Sequence, residues 1–343
     1  GDALKPEMEH ERIPALRQRL HITGDMPAED LNSTLFDSNV EAGVRHFQQR
    51  HGLDDDGVVG KGTLAALNVP VEERIDQIRV NLERARWIRH ELPGEFVLTD
   101  IAGVYVNYYR DVEVIWEGRA QVGKNYRKTP VFRDQIRYLE FNPTWTVPPT
   151  ILRKDVLPAI RRDPGYLASK NMVVLDRQGN PVDTAAIDWS PYPGKSFPYL
   201  IRQQPGPGNA LGRIKFMFPN KHLVYLHDTP SKDLFERTGR AFSSGCIRVE
   251  NPFDFAERLL EKTPGWDHAR IMREASKAQT SRVNLAEPVT VMLLYWTVAV
   301  DTAGTVIFKD DIYQRDAAVL AGLNGGFEFR QSPVFSDADK PLN

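Results

Sequence analysis

At 343 residues, 41% of them hydrophobic and 26% charged, the chain is long enough for two or three domains with a substantial core. Its 44 Lys and Arg against 46 Asp and Glu leave a net charge of −2, so a nucleic-acid partner has no electrostatic support. No run approaches the roughly 18 consecutive apolar residues of a membrane span, and a single cysteine excludes an intrachain disulfide framework. That cysteine count fits a periplasmic and a cytosolic home equally. The start at Gly1-Asp2-Ala3, without methionine or a signal peptide, is the expectation for a mature or trimmed fragment whose targeting segment has been removed.

Residues 1–70 read as a small helical unit. Ile13, Leu16 and Leu20 recur at helical spacing, as do Val40, Val44 and Phe47. The turn His51–Gly57 separates them from a third helix beginning at Lys61. Asp54, Asp55 and Asp56 read as a turn, because a calcium loop needs further oxygen ligands and a bidentate Glu at fixed spacing. A connecting helix is expected over 71–93. Val71, Ile75, Ile78, Leu82 and Ala85 form its apolar face, Trp87 and Ile88 dock its end, and Leu92-Pro93-Gly94 stops it.

From Glu95 the pattern becomes β. Short runs rich in β-branched and aromatic residues (96–101, 104–109, 112–116, 119–124 and 138–142) carry Gly and Pro punctuation and argue for a β-sandwich or barrel-like core within 94–321. Between about 150 and 207 the chain changes character. A helix over Ile151–Arg162 is followed by a segment holding Pro191, Tyr192, Pro193, Gly194 and Phe197, which reads as an insertion covering a substrate or merely packing. Lys221–Asp228 alternates and reads as a strand delivering His227 at its end. Residues 289–308 read as a strand and hairpin forming the C-terminal edge of this domain. The tail 322–343 has little to pack.

The chemistry concentrates around Cys246, in Ser243-Ser244-Gly245-Cys246-Ile247-Arg248-Val249, nineteen residues after His227. A lone cysteine is often a small buried hydrophobe. A thiol with a histidine within reach and a glycine before it is instead a candidate nucleophile for acyl transfer. Cys246 and His227 are the candidate catalytic pair, and the backbone N–H groups of Gly245 and Cys246 the candidate oxyanion donors. Tyr225, Ser243, Ser244, Arg248 and Asn251 are candidate substrate contacts. Tyr225 shares the strand face of His227, as site wall or as core. Arg248 shares the face of Cys246 if that segment is extended, binding either a substrate carboxylate or a buried acid that also satisfies Asn251. Asp228 points away from His227 and reads as a cap of the Asp228-Thr229-Pro230 turn. The remaining histidines are scattered without metal-ligand spacing, and no nucleotide glycine motif occurs, so neither metal nor cofactor is expected.

Two resemblances attach to these residues. Phe47-Gln48-Gln49-Arg50-His51-Gly52-Leu53, Asp56-Gly57-Val58-Val59-Gly60 and Thr63-Leu64-Ala65-Ala66-Leu67-Asn68 together are similar to the three-helix peptidoglycan-binding module. Tyr225-x-His227, the spacer, and Ser244-Gly245-Cys246-Ile247-Arg248-Val249 resemble the signature of the L,D-transpeptidases with a YkuD-type catalytic domain. Most of that family carries histidine directly before Gly-Cys. Ser244 here resembles the larger multi-domain periplasmic branch, and the likeness runs from about residue 13 to about 316.

The resemblance implies an α+β protein: a mostly-β YkuD-type sandwich with a helical substrate-capping insertion, preceded by the three-helix domain. It implies a backbone carbonyl, rather than an Asp, as the group orienting His227. It implies periplasmic 3→3 cross-linking of peptidoglycan through a Cys246 thioester, with release of D-Ala from a tetrapeptide stem. Stem peptides, glycan, carbapenem-type inhibitors and cell-wall synthesis proteins are the implied partners. The competing readings are hydrolysis of cross-links or protein-to-wall attachment by the same acyl-enzyme, and a non-catalytic wall-binding protein. A papain-like peptidase is disfavoured because its Cys precedes its His.

Overall fold

The computed structural model describes residues 1–189 and 197–326. Pro191, Tyr192, Pro193 and Gly194 of the insertion, and the tail from 327, lie outside them.

Three helices open the chain: α1 (Ile13–Ile22), α2 (Ser38–Arg50) and α3 (Lys61–Leu67). Their helical-spacing apolar residues, Ile13, Leu16, Leu20, Val40, Val44 and Phe47, are all buried in one cluster with Leu4, Phe36, Val59 and Leu67. Asp37 caps α2 by accepting from the Val40 N–H at 3.0 Å and pairs with the fully buried Arg17. The three-aspartate stretch is a braced turn. Buried Gln48 donates to Asp56 and to the Val58 carbonyl, and accepts from the Gly57 N–H.

Helix α4 (Val71–Ile88) has the expected extent but the opposite face inward. Val71, Ile75, Leu82 and Trp87 are exposed, whereas Val80, Asn81 and Arg84 are buried. Trp87 therefore does not dock the helix end; its indole donates to Glu83. The reason lies in what α4 covers. Backbone groups of Thr297 and Lys309 need partners there, because a buried unpaired amide or carbonyl is costly. Asn81 accepts from the Thr297 N–H and donates to its hydroxyl, and Gln77 donates to the Thr297 and Lys309 carbonyls. Arg84 reaches Asp316 at 2.7 Å.

The β region is a mixed sheet that closes on itself. Its strands are β1 (Glu95–Asp100), β2 (Tyr105–Arg110), β3 (Glu113–Gln121), β4 (Phe132–Phe141), β8 (Ile214–Met217), β9 (Leu226–His227), β10 (Ile247–Val249) and β11 (Ser281–Leu294). Around the ring the order is β1-β11-β4-β8-β9-β10-β3-β2, so of the expected sandwich or barrel-like core the structure has a closed barrel without free edges. Alternate residues such as Val106, Leu139, Phe216, Leu226, Ile247 and Val291 fill one core. Helices α8 (Pro252–Leu260) and α9 (His268–Ala275) contribute Phe255, Leu259, Leu260 and Ile271 to it.

The insertion folds around its own core. β5 (Trp145–Thr146), β7 (Leu200–Gln203) and β6 (Met172–Leu175) form a three-stranded sheet in that order. Against it lie α5 (Pro149–Ile151), a π-helical turn (Leu152–Val156), α6 (Leu157–Arg162) and α7 (Tyr166–Ser169). Trp145 packs against this cluster.

The C-terminal reading needs correction. β11 starts earlier than expected and runs between β1 and β4, not at an edge, with a bulge between Asn284 and Val289 accommodating Pro288. It ends at Leu294. β12 (Val298–Val300) and β13 (Val306–Phe308) then form a separate hairpin, with Phe308 stacked 5.5 Å from His51. Gly322 is not in a loose tail but within α10 (Asp316–Asn324), which packs on α4.

Candidate active site

Cross-strand register assembles the site. His227 on β9 stands beside Arg248 on β10 and Lys215 on β8. Arg248 pairs onward with Gln121 on β3, and Lys215 with Glu140 on β4. Because residues directly opposite one another share a face, Glu140, Lys215, His227, Arg248 and Gln121 form one row across five strands. Phe216, Leu226 and Ile247, their neighbours in sequence, point into the barrel. Cys246 immediately precedes β10, and the next amide, that of Ile247, donates to the Tyr225 carbonyl at 3.0 Å. This puts the thiol beside Tyr225 and in the vicinity of His227.

The strand before His227 is shorter than its alternation suggested. Only Leu226–His227 pairs with β8. Upstream, Asn220 ties a turn by donating to the carbonyls of Phe218 and Val224, and Leu223 adopts φ +55° with its side chain exposed. The Leu223 carbonyl lies 3.8 Å from Cys246 Sγ.

His227 is buried, and its Nδ1 contacts the Asp228 carbonyl. A carbonyl only accepts, so Nδ1 carries the proton and Nε2 keeps a lone pair. The orienting group is thus backbone, as the resemblance implied. Burial, then the positive charges of Arg248 and Lys215, pull the imidazole down to about 3 against the favourable backbone contacts of Asp228 and Leu211. Burial likewise pushes the Cys246 thiol up, opposed by the Tyr225 N–H and hydroxyl and by the charges of Lys215 and Arg248. Both shifts run in the direction that favours the neutral forms, thiol and imidazole. Tyr225 lies edge-on to His227 at 5.9 Å under the Lys215 ammonium, 4.1 Å from the ring centre. Burial and then the neighbouring thiol raise its phenol.

The loop before Cys246 is built differently from the expectation. Buried Ser243 donates to the Cys246 carbonyl at 2.5 Å and accepts from the Gly245 N–H at 3.1 Å. The Ser243 hydroxyl is thus a loop brace rather than a substrate contact, and the Gly245 amide is already used. The Cys246 amide has no acceptor among the described residues, in contrast to that of Gly245. Gly245 has φ +120°, a conformation L side chains rarely adopt. Ser244 is exposed, and its hydroxyl accepts from Arg127 at 2.7 Å; Arg127 also pairs with Asp155 of the insertion at 2.8 Å. The nucleophile loop and the insertion are therefore linked through one guanidinium.

Arg248 donates to Gln121 at 3.0 Å and has no carboxylate partner among the described residues; its Nε is buried without an acceptor. The buried-acid reading fails. Asn251 is exposed at φ +47°, where the chain turns from β10 into α8, and no hydrogen bond joins it to Arg248. Asp228 does not cap its own turn. Its carboxylate accepts from the Arg213 N–H at 2.8 Å and pairs with Lys232. A Cβ on Gly212 would fall 2.3 Å from that carboxylate, so only glycine fits. Sequence reasoning did not single out Glu140, Gln121 or Arg127, and had Lys215 only within a segment, Pro205–Phe216, read as a wall beside the catalytic strand. Each belongs to the site only through register or a long-range contact.

A cavity of about 810 Å³, lined among others by Gln49, Tyr105, Asn107, Arg240 and Trp296, lies between the helical module and the barrel and includes neither Cys246 nor His227. No described helix is long and apolar enough to cross a membrane.

Residues 94–266 match the L,D-transpeptidase catalytic domain, YkuD, and residues 9–67 match a peptidoglycan-binding domain. The chain belongs to the YkuD L,D-transpeptidase family. A Haemophilus influenzae protein bearing the name of an L,D-transpeptidase is 38% identical over 255 residues, covering 74% of this chain and 51% of its own length. The chain thus spans about half of that curated relative. An L,D-transpeptidase structure from Stackebrandtia nassauensis is 14% identical, covering 85% of this chain and 97% of the other, with a TM-score of 0.29. One from Xylanimonas cellulosilytica is 14% identical, covering 86% and 98%, with a TM-score of 0.27. At such scores, membership rests on the sequence match and not on superposition.

Proposed function

We propose that the chain is an L,D-transpeptidase acting on peptidoglycan in the cell-wall or periplasmic compartment, with Cys246 as nucleophile and His227 as base. The observation carrying this reading is the tautomer of His227. Its Nδ1 is committed to the Asp228 carbonyl, which leaves Nε2 as the basic nitrogen, on a strand paired with the one that follows Cys246.

In this reading Nε2 takes the thiol proton as Sγ attacks the carbonyl of meso-diaminopimelate, third residue of a tetrapeptide stem. Tyr225, Lys215 and Arg248 favour the negative charge that forms. The Cys246 amide receives the oxyanion, a contact whose loss typically costs about 3–4 kcal/mol in barrier height. The C–N bond to the terminal D-Ala then breaks, and the imidazolium protonates the leaving amine. The amine of a second stem's diaminopimelate attacks the thioester, gives its proton to His227 and releases the thiolate, leaving a 3→3 cross-link.

The Arg248 guanidinium, without an acid partner among the described residues, receives a substrate carboxylate. Ser244, exposed beside the nucleophile and bonded to Arg127, contacts the substrate. The division 1–70, 71–93 and 94–321 then assigns wall recognition, connection and catalysis, with 150–207 as the cap. Carbapenems acylate Cys246.

The test is intact-protein mass spectrometry with a carbapenem, beside Cys246→Ala, followed by product analysis with a disaccharide-tetrapeptide. An adduct on the unaltered protein alone, with 3→3 dimers, is expected. A folded protein giving neither adduct nor product overturns the enzymatic reading in favour of wall binding.

A further inference from the structure

We infer that the Glu140–Lys215 pair is the receptor for the far end of the donor's diaminopimelate side chain, a centre bearing both an ammonium and a carboxylate. This rests on the proposed transpeptidase reading and assigns a specificity site within it.

The row across β4, β8, β9, β10 and β3 holds one anion and two permanent cations around His227. Arg282, next beyond Glu140 in register, is turned away from it. Its guanidinium lies 3.5 Å from the Tyr138 ring centre and donates to Asn284. Glu140 is left with Lys215.

That pair is loose. Nζ and Oε2 stand 3.4 Å apart, beyond the roughly 2.7–2.9 Å of a tight charged hydrogen bond. The side chains are 13% and 26% exposed, so both are sheltered yet reachable. Each therefore keeps capacity for an opposite charge. A ligand presenting an ammonium and a carboxylate on one carbon satisfies both groups at once, and neither a simple cation nor a simple anion does.

Position agrees with this assignment. β8 lies two strands from β10, about 10 Å. The diaminopimelate side chain places its second stereocentre about 5 Å from the first when extended, and the lysine arm covers the remainder. Lys215 is also close enough to influence the charge of both Cys246 and His227. Arg248, on the other side of His227, is then free for the terminal carboxylate of the leaving D-Ala. Holding the donor's ammonium against Glu140 has a further consequence. The amine stays protonated and cannot attack its own thioester.

The experiment compares kcat/KM for D-Ala release from two disaccharide-tetrapeptides, one with meso-diaminopimelate and one with L-lysine at the third position. Lysine lacks only the far carboxylate. The unaltered protein is expected to prefer diaminopimelate at least tenfold, and Lys215→Met to bring the ratio near one. A donor acetylated on its far amine should be similarly disfavoured, and Glu140→Gln should remove that discrimination. A ratio cancels any general effect of either substitution on the nucleophile, and thermal melting checks that each variant folds. Equal release from both donors by the unaltered protein, or a ratio surviving in Lys215→Met, overturns the subsite alone. No D-Ala release from any stem overturns the transpeptidase reading, and the subsite with it.

Discussion

Two buried histidines, one in the helical module and one in the barrel, are made neutral by the same physics and put to different use. His51 contacts the Phe47 carbonyl through Nδ1, as His227 contacts that of Asp228. Burial pulls His51 down to about 4 and His227 to about 3. His51 is stacked on Phe47, with ring centres 3.8 Å apart, and also faces Phe308, so it joins the module to the β12–β13 hairpin. His227 instead faces a row of charges beside a cysteine. Burial and a carbonyl thus produce a fixed neutral tautomer anywhere, and the neighbours decide whether it is cement or base.

The largest break in that symmetry should be catalytic. His227→Gln is expected to lower D-Ala release by about 10²–10⁴-fold, the usual contribution of a general base. His51→Gln should leave the rate per folded molecule unchanged. Steady-state release assays on both variants, corrected for folded fraction by thermal melting, check this.

A second prediction sharpens the likeness. For both histidines the folded pKa lies below the unfolded value of 6.5. Above pH 6.5 neither affects stability through protonation. As pH falls from 6.5 towards 4 for His51, and towards 3 for His227, the unfolded chain takes up a proton that the fold resists, and stability is lost. Urea unfolding across pH 3–7 should show each Gln variant losing less stability on acidification than the unaltered protein. Identical slopes would show that the two rings are not held neutral.

Smaller effects test the join between the regions. Asn81→Ala leaves the buried Thr297 N–H without its acceptor and should cost about 1–3 kcal/mol by denaturant unfolding. Leu82→Ser, one residue on, should change stability by less than about 0.5 kcal/mol because Leu82 is exposed. The reverse order would restore the face expected from periodicity alone.

The sequence by itself determined the helical module, where apolar periodicity and burial agree at Ile13, Leu16, Leu20, Val40, Val44 and Phe47. It also determined the Cys246–His227 candidates and the α+β class, because glycine, turn and strand signals are local. Only the tertiary structure decided which face of α4 is buried, since backbone groups more than two hundred residues away set that demand. Only it placed β11 inside the ring, engaged Ser243 and the Gly245 amide with each other, and brought Glu140, Lys215 and Gln121 into one row. Strand register is a long-range pairing, and a shift of one residue would turn every member of that row to the other face. Local spacing marks which residues can do chemistry, while register determines which of them meet.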